Sequence, residues 1–98
     1  MVSKILESTD LELLAVRFSA LGDPIRLRIL TELADGQRCV CELLDEIDIA
    51  PNLLSYHLKI LRDTGLVDAS RRGRWVDYRL AVDGLATLKA AVPFGVSG

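Results

Sequence analysis

A mainly α-helical chain carrying a small β-hairpin is predicted by three observations. Apolar residues recur at helical spacing in successive stretches from Leu11 to Leu61. The period becomes strand-like after Gly65, on either side of a basic, glycine-containing tip. Proline and glycine stand where helices should start and stop. The 98 residues, half of them apolar, fit one domain. A chain this short buries a modest fraction of its surface, so pairing of two subunits is a natural supplement.

The elements follow in order. Residues 1–9 show no period and are expected to fray. Leu11, Leu14, Phe18 and Leu21 then define a helix, with Asp10 as its candidate cap and Gly22 as its end. Asp23-Pro24 opens the next helix as cap and first residue, Ile25, Ile29 and Leu33 form its buried stripe, and Gly36 stops it. A short helix is expected from about Val40 to Ile47, with Leu43, Leu44 and Ile47 facing inward. Asp48-Ile49-Ala50 makes a turn. Pro51 starts a longer helix to about Thr64, with Leu54, Leu58 and Leu61 on its buried face and Gly65 just beyond its end. Two helices joined by such a turn read as a helix-turn-helix. Residues 66–70 and Trp75–Leu80 form the hairpin, with Arg71, Arg72, Gly73 and Arg74 at its tip. A last helix runs from about Asp83 to Val92 with Leu85 and Leu88, and residues 93–98 are expected to be disordered. The sum is a winged helix-turn-helix.

Charge is more informative in its distribution than in its total of −2. Residues 1–50 carry ten acids and five bases, and residues 51–98 carry seven bases and four acids. A basic half on an acidic chain suits a polyanion, and equally a solvated charged face. The helix from Pro51 exposes Asn52, Ser55, Tyr56 and Lys59, with Leu53 and His57 flanking. An amide, hydroxyls and an imidazole there suit base edges in a major groove, while Lys59, Arg71, Arg72 and Arg74 suit phosphates. Double-stranded DNA is the expected partner. No Ser/His/Asp set, phosphate-binding glycine loop or paired-carboxylate cleft is present, so no catalysis is expected. No run of eighteen apolar residues exists, and no secretion signal opens the chain, so a cytoplasmic location is expected. Leu11, Leu14 and Phe18, with Leu85 and Leu88, exceed what so small a core needs, which predicts that the first and last helices pair two subunits.

Three ordered motifs then resemble one known family. Phe18-Ser-Ala-Leu-Gly-Asp-Pro-Ile-Arg-Leu-Arg-Ile-Leu, Leu53-Leu-Ser-Tyr-His-Leu-Lys-Ile-Leu-Arg-Asp-Thr-Gly-Leu-Val and Arg72-Gly-Arg-Trp-Val-Asp-Tyr-Arg-Leu look like the ArsR/SmtB family of metal-responsive repressors, over roughly residues 15–82. The resemblance implies a homodimer with a winged helix-turn-helix in each subunit, paired through its terminal helices and released from operator DNA by an effector.

Cys39 and Cys41 are the only cysteines. Two residues apart, they are badly placed for a structural disulfide, and they read as reactive thiols. Arg38-Cys39-Val40-Cys41-Glu42-Leu43 resembles the Cys-Val-Cys motif of the family's arsenic- and cadmium-sensing members. Leu44 stands where the arsenic type often has a third cysteine, and residues 1–38 lack the cysteines of the cadmium/lead type. Asp83 matches the zinc type's last-helix ligands, but no His follows it. The resemblance therefore implies a soft effector, arsenic(III) or antimony(III), held by Cys39 and Cys41. Three alternatives stay open: inert half-buried thiols, with Cys39 as helix cap; a thiol-redox repressor on the same fold; and a metal-buffering or metallochaperone protein.

Overall fold

The computed structural model describes residues 8–92. The expected frayed start and disordered tail lie outside them, except that Ser8 and Thr9 already belong to the first helix. The order is α1 (Ser8–Leu21), α2 (Pro24–Leu33), β1 (Arg38–Cys39), α3 (Val40–Glu46), α4 (Pro51–Asp63), β2 (Val67–Arg72), β3 (Trp75–Leu80) and α5 (Val82–Ala91). This is the predicted winged helix-turn-helix, with α3 and α4 as its two helices. Asp10 is not the cap of α1; it lies in the first turn.

Local chemistry sets the boundaries. Asp23 caps α2 by accepting from the Ile25 and Arg26 backbone N–H groups at 2.8 and 3.1 Å, and these bonds, the Arg26 one foremost, hold its carboxyl below the usual range. Pro24 and Pro51 occupy first helical turns, where a missing N–H costs little. The end of α4 is a Schellman motif. Gly65, at φ +79°, donates to the Arg62 carbonyl, and Leu66 donates back to the Leu61 carbonyl at 2.9 Å. Gly73, at φ +63°, gives the hairpin its two-residue turn, since primed turns need a positive φ at their first central residue.

The wing is a three-stranded antiparallel sheet in the order β1-β3-β2, not the hairpin alone. Arg38 pairs with Tyr78 and Cys39 with Asp77. No local pattern marks so short a strand; a partner nearly forty residues away creates it.

The core gathers Ile29 and Leu33 of α2, Leu43 of α3, Leu54, Leu58 and Leu61 of α4, Leu66, Val67 and Leu88, with Ile47 from the turn. Helix α3 packs on β1, α2 and β3, and α5 lies against α1. Leu44 sits half-buried at the edge of the core rather than inside it. Leu88 is only 4% exposed, so the expectation that it faces a partner subunit is corrected: its position on α5 turns it into its own subunit's core.

Candidate nucleic-acid interface and thiol pair

Helix α4 is strongly two-sided. Leu54, Leu58 and Leu61 are sealed inside, while Asn52, Ser55 and Lys59 face out and Tyr56 is 58% exposed. His57 departs from expectation. It was expected to flank the outer face, yet it is 5% exposed. Position 57 falls on the same arc as Leu54, Leu58 and Leu61, and its polar edge is satisfied there. Arg26 Nη1 lies 3.1 Å from His57 Nδ1, and a guanidinium, having only N–H groups, can only donate there. Arg26 also donates through Nε to the Ala20 carbonyl at 2.7 Å. One guanidinium thus ties α4 to the end of α1, and His57 positions the helix rather than facing outward.

The start of α4 has no side-chain cap, because Ala50 stands there. Its carbonyl still accepts from the Leu53 and Leu54 N–H groups. Lys59 pairs with Asp63 at 2.7 Å on the exposed surface of the helix, where both side chains stay open to solvent, and this contact depresses the Asp63 carboxyl.

At the wing, Arg71 and Arg74 are exposed and make no ion pair among the described residues. Arg72 is different. Its guanidinium forks onto Asp77, with Nε to Oδ2 at 2.8 Å and Nη2 to Oδ1 at 3.1 Å. Gln37 Nε2 donates to the same carboxylate at 3.5 Å. The Arg72 bond holds the Asp77 carboxyl below the ordinary range, and Asp77 in turn raises Arg72. Stability from a depressed carboxyl is present above its ordinary pKa and is lost only as pH falls through the lowered value. The pair is therefore intact at neutral and mildly acidic pH.

Cys39 and Cys41 are free thiols, Cys39 half-buried and Cys41 exposed. Cys39 is the last residue of β1 and the N-cap of α3, with extended backbone at φ −84° and ψ 169°. Its N–H donates to Glu42 Oε1 at 2.9 Å, which is the main reason the Glu42 carboxyl lies low. Since Cys39 sits outside the helix, its side chain is not locked to the helical direction that would aim it away from Cys41. Among the described residues, no group of three His, Cys, Asp or Glu side chains is arranged to hold a metal.

The family profile described as bacterial regulatory protein, arsR family, matches residues 23–69, from the cap of α2 into β2. An ArsR-like transcriptional regulator from Rhodococcus superposes with a TM-score of 0.75 at 30% identity, covering 81% of this chain and 74% of that one. The chain belongs to the arsR family. It is 48% identical over 67 residues to the HTH-type transcriptional repressor SmtB of Mycobacterium tuberculosis, covering 68% of this chain and 50% of that protein. It is 43% identical over 65 residues to the arsenical resistance operon repressor of Bacillus subtilis, covering 65% of this chain and 62% of that repressor. The chain thus spans about half the length of the first of these relatives. Within this arsR-family frame, sequence reasoning missed strand β1, the Arg72–Asp77 fork and the Arg26–His57 contact. Two had a signal available: an acid inside a strand beside a basic tip, and a histidine on the arc of an apolar stripe. Two residues forming an edge strand had none.

Proposed function

We propose that this chain is an arsenic(III)- or antimony(III)-responsive transcriptional repressor, which binds double-stranded operator DNA as a homodimer and leaves it when the metalloid bridges Cys39 and Cys41. The observation that carries the effector reading is the pair of free thiols at the junction of β1 and α3, where the helix-turn-helix begins. Arsenite enters as the neutral trihydroxide. Two hydroxides are replaced by two sulfurs, each thiol proton leaves with a hydroxide as water, and arsenic stays trivalent.

In this reading Asn52, Ser55 and Tyr56 contact base edges, while Lys59, Arg71 and Arg74 neutralise phosphates. Losing either Arg71 or Arg74 to alanine is expected to flatten the dependence of log affinity on log salt by about one unit. Affinities measured between low and moderate salt check this, and unchanged slopes in both variants would refute the wing contact.

The homodimer forms through α1 and α5. Leu11 at 52% and Phe18 at 39% exposure supply the surface, with Leu14 and Leu85 behind them and Leu13, Val16 and Val82 beside them. Exposed apolar side chains concentrated on the terminal helices fit a self-complementary contact. Sedimentation is expected to give a dimer at micromolar concentration, and a stable monomer there would exclude this assembly.

An operator gel shift with and without arsenite tests the whole reading. Arsenite-driven release is expected. Release by oxidant alone would favour a thiol-redox repressor. Thiol-dependent metal uptake without operator binding would favour a metal-buffering protein.

A further inference from the structure

The β1–β3 pairing puts Cys39 directly opposite Asp77, and β2–β3 pairing puts Ser70 opposite Asp77 on the other side. Directly opposed residues share a face of the sheet, with Cβ atoms roughly 5 Å apart. Cys39, Asp77 and Ser70 therefore form one row across three strands. Arg72, two residues along β2 from Ser70, lies on that same face and folds back onto Asp77. The candidate effector thiol thus borders the carboxylate that grips a wing-tip arginine.

We propose that the Asp77–Arg72 pair relays occupancy of Cys39 to the tip of the wing. This rests on the thiol-effector reading above and deepens it. Asp77 is 4% exposed, so its carboxylate depends on its protein partners rather than on solvent, and any turn of it is made at the expense of those partners. A heavy atom on the Cys39 sulfur crowds Asp77, its immediate neighbour in the row. The carboxylate turns aside, the two-bond fork to Arg72 opens, and the turn at Gly73 and Arg74 loses the cross-strand brace that sets its direction. Phosphate contacts by Arg71 and Arg74 then lose their register. Asp77 and Arg72 are positioning residues in this scheme, since neither has to touch the effector or a base.

The test compares wild type with Asp77→Asn, which keeps size and backbone pairing, and with Arg72→Gln, a change to a mostly exposed side chain that secures a folded protein. Each is titrated with sodium arsenite while thiolate–arsenic absorbance is followed. Backbone amide exchange at the wing tip and operator affinity are measured at both ends of the titration. In wild type, arsenite is expected to quicken exchange at the tip and weaken operator binding by about a hundredfold. Both variants are expected to take up arsenite with wild-type stoichiometry, to show a fast-exchanging tip already without it, and to keep less than about a tenfold response. Asp77→Glu should recover part of that response, which a purely structural role would not provide. Variants that bind arsenite and release operator as wild type does would overturn the relay and leave the effector reading standing. Absence of arsenite absorbance in wild type would remove both.

Discussion

Gly84→Ala is expected to be the most damaging glycine-to-alanine change among the described residues. A Cβ on Gly84 would lie 1.8 Å from the Gly65 carbonyl oxygen and 2.9 Å from its carbon. Both obstacles are backbone, and that backbone cannot easily give way. Gly65 sits at φ +79° inside the Schellman motif that ends α4, and the motif's two hydrogen bonds fix its carbonyl. Arg17 clamps the same junction by donating to the Thr64 carbonyl at 2.8 Å and to Thr87 Oγ1 at 2.9 Å. Helix α5 must therefore slide away from α4, taking Leu88 out of the core. Overpacking against rigid neighbours costs about 3 kcal/mol or more. In a domain of this size each kcal/mol moves Tm by about 4–8 °C, so a fall of roughly 12 °C or more is expected. Thermal melts check this, and a Tm within a few degrees of wild type would mean that the close approach of α5 to Gly65 is wrong.

Leu54→Ala should rank beside it. Leu54 is fully buried in α4, among the side chains that anchor this helix to the rest of the fold. Removing it leaves a cavity and costs about 2–5 kcal/mol. That is a large part of the 5–15 kcal/mol that holds a typical domain folded. The uncapped start of α4 at Ala50 adds nothing to compensate. Asn52→Ala, two residues away on the outer face, is the control. It should leave the urea midpoint nearly unchanged while weakening operator binding. Leu54→Ala should instead lose operator binding only in step with folding. A loss below about 1 kcal/mol for Leu54→Ala would contradict the packing of α4 described above.

The contrast between these two positions shows what was legible in the sequence. The helical period of Leu54, Leu58 and Leu61, the proline before them and the glycine after them carry local chemistry, and α4 runs where they indicate. The wing strands were legible because Gly73 and the alternation around it are also local. His57 was misplaced because residue type outweighed position: imidazole suggests a surface, but the arc between Leu54 and Leu58 points inward, and Arg26 satisfies the nitrogen. Leu88 looks like surplus apolar area in the sequence, yet α5 turns it into its own subunit's core. The Cys39–Asp77 pairing depends on chain segments far apart in sequence. No window on either segment contains it, although the thiols themselves stood out at once.

In the proposed switch, both thiols together convert metalloid binding into operator release. Fluorescence anisotropy of labelled operator, at one fixed salt concentration with and without arsenite, tests it in wild type, Cys39→Ser and Cys41→Ser. Wild type is expected to lose about a hundredfold in affinity, equivalent to about 2.7 kcal/mol of coupling. Each serine variant is expected to bind operator as wild type does and to ignore arsenite. Normal arsenite-driven release from either variant would contradict the two-thiol switch.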